Sequence, residues 1–132
     1  MKELPDELVI SGGFVDKCYI VTIQGELKQE SLDKIGANVL QAVYDTGVRG
    51  VILDFSGVAV FDSEIFAALK RITRMIDVMG VNVVWIGLKP GVASALVDLN
   101  VDINNIKIAR NLENGLELIK SCMIAINSRK QL

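Results

Sequence analysis

The 132-residue chain contains no histidine. That absence excludes Ser-His-Asp and Cys-His catalysis, His-ligated zinc and iron, and an ordinary imidazole pH switch. Cysteine is scarce as well. Cys18 and Cys122 are too few for a disulfide-stapled scaffold and lack metal or redox spacing, so both read as structural. Neither charge sign dominates, with 14 Lys and Arg against 16 Asp and Glu and a net charge of −2. The strongly basic face of a nucleic-acid binder is therefore not expected. No apolar run approaches the roughly 20 residues of a spanning helix. The most apolar stretch, residues 81–88, is short and carries Asn82. The opening run Met1-Lys2-Glu3-Leu4-Pro5-Asp6-Glu7 is mixed in charge and has no signal-peptide core. These absences point to a cytoplasmic protein with free thiols, no membrane contact and no nucleic-acid partner.

What the chain does have is apolar side chains, 51% of residues, although only 5% are aromatic. The length suits one domain over residues 1–132, with a core at about 8–121 and a helix end and frayed tail over 122–132. The apolar surplus leaves surface for subunit contacts.

The periodicity changes along the chain. Pro5 marks a lead-in, and residues 8–10 read as a short strand. Gly12-Gly13 and Asp16-Lys17 supply turn residues. Residues 19–23 form a second, β-branched strand that pairs with the first as a hairpin. Leu32, Ile35, Val39, Leu40 and Val43 then fall at helical spacing within residues 29–44, and Gly47 is a C-terminal stop. Residues 51–55 read as a strand buried on both faces. A second helix is expected over 63–79, with a stripe of Ile65, Ala68, Leu69, Ile72, Met75, Ile76 and Met79. Residues 81–86 form another buried strand, with Trp85 in the core. Pro90 opens a third helix ending near Leu99, residues 106–108 form a weak strand, and Asn111 caps a last helix through Leu116, Ile119 and Ile124 that frays from Ser128. This order predicts an α/β fold: a mixed, mostly parallel β-sheet with an initial β-hairpin and about four helices.

The informative segment is VILDFSGVAVFDSEIFAAL, residues 51–69. A buried strand ends near Asp54, a short apolar connection through Phe61 follows, and a helix starts at Asp62-Ser63. A helix N-terminus offers unsatisfied N–H groups and partial positive charge. Serine there caps the helix by default. It can also present a hydroxyl for phosphorylation, because a phosphate meets a favourable dipole.

With the hairpin start and the helix order, this segment resembles a STAS domain, the fold of sulfate-transporter tails and anti-sigma-factor antagonists. In that family an Asp-Ser or Asp-Thr pair opens this helix and the hydroxyl is the regulatory phosphorylation site; here the pair is Asp62-Ser63. Soluble sporulation antagonists carry Asp-Ser-Ser-Gly-Leu-Gly at this point, whereas this chain has Asp62-Ser63-Glu64-Ile65-Phe66-Ala67. The Asp-Ser-x-Ile pattern is similar to stressosome scaffold subunits of the RsbS type. Gln24-Gly25-Glu26-Leu27, Tyr44-Asp45-Thr46-Gly47, Met79-Gly80-Val81-Asn82-Val83-Val84, Gly87-Leu88-Lys89-Pro90 and Leu112-Glu113-Asn114-Gly115-Leu116-Glu117 agree with it. The short length and the serine favour this type over sensor-bearing RsbR-type paralogues, which add an N-terminal domain and usually carry threonine.

The resemblance implies a non-catalytic scaffold without a cofactor. Its partners would be a sensor-bearing RsbR-type paralogue, a switch serine kinase of the RsbT type that is held and then released when Ser63 is phosphorylated, and a phosphatase that resets Ser63. Self-association is expected too. Asp62, Asp54 and Glu64 would support the switch site. Taken by itself, Asp54 reads as a solvated or turn-bonded strand-end carboxylate. Ser56 is a turn residue, Ser94 receives no role, and Lys70, Arg71 and Arg74 read as a solvated basic face. The helix dipole favours a phosphate at Ser63 by about 0.3–2 kcal/mol. Asp62 and Glu64 each oppose it by about 1.4 kcal/mol per phosphate charge, at about 6 Å and an effective dielectric near 40. The dipole offsets part of this repulsion, and phosphorylation is not expected to refold the domain.

Two other readings stay open. One is a free anti-sigma factor antagonist that binds its kinase one-to-one. The other is a nucleotide-binding or receiver-like phosphotransfer domain. A receiver needs an acidic pair after its first strand, and residues 8–13 offer none.

Overall fold

Runs of β-branched and apolar residues become the strands, and residues at helical spacing become the layers that cover them. The computed structural model describes residues 9–25, 27–60, 62–98, 103 and 105–130. The order is β1 (Val9–Val15), β2 (Cys18–Gln24), α1 (Gln29–Thr46), β3 (Gly50–Gly57), α2 (Ser63–Val78), β4 (Asn82–Ile86), α3 (Pro90–Asp98), β5 (Lys107–Ala109) and α4 (Leu112–Lys130). The five strands lie side by side in sequence order, β1 antiparallel to β2 and all later pairs parallel. The expected mixed sheet, hairpin and four helices are therefore present. Pro5, Leu8, Phe61, Leu99 and the terminal Leu132 lie outside the described residues.

Successive strand residues face opposite sides, and the two sides differ in size. Val21, Ile23, Val51, Leu53, Phe55, Val83 and Trp85 point into the larger core, with Leu32, Ile35, Val39 and Val43 of α1, Ile65, Leu69, Ile72 and Ile76 of α2, and Val92 and Leu96 of α3. Cys18, Ile52, Val84 and Ile86 point the other way and meet Ile119 of α4. Cys18 is buried, and that burial, with Asp16 as a lesser contributor, pushes its thiol pKa up. This fits the structural role expected for Cys18.

Three local expectations are corrected. Gly12 and Gly13 do not form a turn; they lie inside β1, paired with Val21 and Ile20. The turn is Asp16-Lys17 alone, both at positive φ (50° and 66°), which matches the twist of a two-residue hairpin. Gly12 is needed for space: a Cβ there would collide with the Tyr19 ring lying across it. Met79 leaves the α2 stripe, because the helix ends at Val78 and Met79 is its C-cap, 40% exposed. Phe66 takes up core area instead, edge-on to Trp85 with ring centroids 5.9 Å apart. Finally, α4 remains helical through Lys130, past the fraying expected from Ser128. Its start agrees with expectation, since Asn111 Oδ1 accepts from the Asn114 amide at 2.9 Å.

Candidate functional site

The site is the rim where β3 and β4 end and α2 and α3 begin. In parallel α/β sheets this edge gathers helix N-termini and loops, which makes it the usual place for binding. Asp54, three residues before β3 ends, pairs with Ile86, the last residue of β4. The half-buried Asp54 folds onto its own strand end, where its Oδ1 accepts from the Ser56 amide at 2.9 Å. Asp54 is thus bonded locally as expected, but Ser56, expected in a turn, lies within β3, which runs on to Gly57.

Gly87 completes the shape. It sits at φ 74°, and a Cβ on it would lie 2.8 Å from Asp54 Oδ1 and 2.9 Å from the Ser56 nitrogen. Any side chain there would push the β3 rim away. The sequence offered only the Gly87-Leu88-Lys89-Pro90 string as a signal, and nothing in it identifies Asp54 as the group Gly87 must clear.

Asp62 and Ser63 divide between them the two roles that sequence alone left with the serine. Asp62 is the N-cap of α2, extended at φ −114° and ψ 177°, and its Oδ1 accepts from the Ile65 amide at 2.8 Å. The Phe66 amide donates to the Asp62 carbonyl at 3.0 Å. Ser63 is the first helical residue, exposed, and its hydroxyl has no hydrogen-bond partner among the described residues. The capping that would normally occupy a serine at a helix start is done by its neighbour. Glu64, also exposed, adds a second carboxylate to the first turn. Ser63 Oγ therefore faces solvent at the positive end of a 16-residue helix, flanked by two carboxylates.

The helix that carries Ser63 is fixed from below. Thr73, the single buried polar side chain among the described residues, donates from Oγ1 to the Leu69 carbonyl at 2.8 Å and accepts from Trp85 Nε1 at 3.0 Å. Phe55 lies 5.0 Å from the Trp85 ring. Thus β3, α2 and β4, three of the four elements that meet at the rim, share one aromatic and hydrogen-bonded anchor. Sequence reading placed Trp85 in the core and missed Thr73, whose signal was a hydroxyl four residues after Leu69 on the buried side of α2.

The remaining candidates separate from the rim. Arg71 and Arg74 are exposed further along α2, and the half-buried Lys70 has its Nζ 6.0 Å from the Phe66 ring centroid. Ser94 is exposed on α3. Among the described residues no group of His, Cys, Asp and Glu could hold a metal ion. No helix of the described residues is long and apolar enough to cross a membrane.

Comparison with known proteins agrees with this fold. The STAS domain family model matches residues 11–115. A serine-to-glutamate variant of RsbS from Moorella thermoacetica superposes with a TM-score of 0.74 at 26% identity, covering 86% of this chain and 97% of that one. A chain from the molecular architecture of the stressosome, described as a signal integration and transduction hub, gives 0.73 at 27% identity, covering 86% and 98%. In sequence, the RsbT co-antagonist protein RsbRB of Bacillus subtilis is 29% identical over 97 residues, which is 74% of this chain and 35% of that protein. The chain thus spans about a third of the length of the RsbT co-antagonist relatives it matches. It belongs to the STAS domain family, and within that family it is similar to the RsbS-type and RsbR-type components of the stressosome.

Proposed function

We propose that the protein is a non-catalytic stressosome scaffold that holds a switch serine kinase of the RsbT type and releases it when Ser63 is phosphorylated. One observation carries this reading: Asp62 caps α2, and the exposed Ser63 hydroxyl at the helix start has no hydrogen-bond partner among the described residues. A group poised in this way is accessible to a kinase and can gain about −1.5 to −2 charges without losing a structural hydrogen bond. The likeness to RsbS and to an RsbT co-antagonist protein supports the choice of partner class. On this reading an RsbR-type paralogue co-assembles with the chain and a phosphatase resets Ser63.

Asp62 and Glu64 oppose the incoming charge while the dipole favours it, so the domain keeps its fold. The charge acts on whatever is docked over the rim. On this reading Asp54, tied to the Ser56 amide, supports the rim from β3.

The test is incubation of the chain with the kinase and ATP, followed by tandem mass spectrometry. A single phosphate on Ser63, absent in Ser63→Ala, is expected. Phosphate on another residue, or none, overturns the assignment.

A further inference from the structure

Ser63 shares its face of α2 with a run of cations. At 3.6 residues per turn, Ser63, Ala67, Lys70 and Arg74 fall within about 60° of arc, and Arg71 lies beside them. This ridge faces outward: Ser63, Ala67, Arg71 and Arg74 are exposed and Lys70 is half-buried. From Ser63 to Arg74 it runs about 16 Å along the helix axis. Its head is acidic, at Asp62 and Glu64, and its middle turns are basic.

The basic turns keep their charge toward solvent. Arg71 and Arg74 make no ion pair among the described residues. Asp77, three residues after Arg74, has Lys107 of β5 as the charge acting on its carboxyl. Lys70 sits with its Nζ 6.0 Å from the Phe66 ring centroid, and Phe66 packs on Trp85. The cations therefore stand on the same anchor as the switch.

A phosphate on Ser63 places about −1.5 to −2 charges at the head of this ridge. Lys70 begins about 10 Å away along the axis, within reach of that charge at ordinary ionic strength. By charge alone, the addition loosens a docked surface only if that surface is itself negative. We propose that the partner docked along the ridge presents a carboxylate-rich protein surface, which Lys70, Arg71 and Arg74 attract. The proposal rests on Ser63 as the kinase switch, and it adds the sign of the kinase's docking surface and its place two to three turns down α2. A compact acidic patch meets the middle turns and stops short of Asp62 and Glu64. A continuous array of lipid or nucleic-acid phosphates would meet both, and the two carboxylates would repel it.

Arg74 is the probe, because Arg71 also borders the seam with α1 that Asp33 lines. The affinity of a switch kinase of the RsbT type is measured for the full chain and three variants. Arg74→Glu is expected to weaken binding by about tenfold or more at about 50 mM salt, and by far less at about 300 mM, where the charges are screened. Arg74→Lys keeps the charge. Lys120→Glu makes the same charge change on the exposed side of α4, across the sheet. Both are expected to stay within about twofold of wild type. Far-ultraviolet spectra and urea midpoints should match wild type, since these side chains are exposed. An Arg74→Glu variant that binds as tightly as wild type overturns the proposal and leaves the Ser63 assignment standing. Tighter binding also overturns it, by placing a basic surface there, and so does an equal loss in Lys120→Glu, which reduces the effect to net charge. A kinase that binds none of the forms removes the proposed function itself, and this inference with it.

Discussion

The first turn of α2 and its middle turns lie on one helix and obey opposite constraints. Asp62, Ser63 and Glu64 are exposed and polar, and the hydroxyl between the two carboxylates is bonded to nothing described. Two and three turns later, Leu69, Thr73 and Ile76 are buried, and Thr73 holds Trp85 of β4. The rigid part gives the exposed part a fixed position. On the proposed function, Ser63 changes its charge while the anchor below stays the same.

Substitutions that separate the two parts should rank by how much buried structure each removes. Trp85→Ala empties the anchor and is expected to cost about 3–5 kcal/mol, read as a lowered urea midpoint at unchanged slope. Thr73→Val keeps the volume but leaves the Trp85 N–H buried without its acceptor, an expected loss of about 1–3 kcal/mol in the same titration. Asp62→Ala removes the cap and should cost about 0.5–2 kcal/mol, with first-turn amide exchange rising before that of the middle turns. Ser63→Ala is expected to stay within about 0.5 kcal/mol of wild type. Phosphorylation of Ser63 should leave the circular dichroism spectrum unchanged. A Ser63→Ala variant as destabilised as Asp62→Ala would mean that the serine is structural and would erase the contrast.

The fold was legible because the apolar periodicities are strong and separated by clear stops. The stripes of α1 and α2, the near-continuous strands at Val51 and Val83 and the Asn111 cap all translate into the observed elements. Gly12-Gly13 misled because glycine pairs usually mark turns, whereas here one of them makes room for the Tyr19 ring, a contact between strands that no local pattern contains. Phe66 and Thr73 were missed for a related reason: their burial depends on Trp85, which lies on another element. At the rim, sequence identified Asp62, Ser63, Glu64 and Asp54 but left the capping role with the serine. Which of two adjacent side chains turns back onto the helix is a matter of backbone angle, and only the structure assigns it to Asp62.

The central claim is that charge at Ser63 governs a docked kinase while the domain keeps its fold. The most direct measurement is the affinity of the switch kinase for the chain before and after stoichiometric phosphorylation, with Ser63→Ala and Ser63→Asp alongside. The account predicts that the unmodified chain and Ser63→Ala bind equally, and that phosphorylation weakens binding by about tenfold or more, equivalent to about 1.4 kcal/mol, with Ser63→Asp shifted the same way. Equal affinity of all four forms would contradict it.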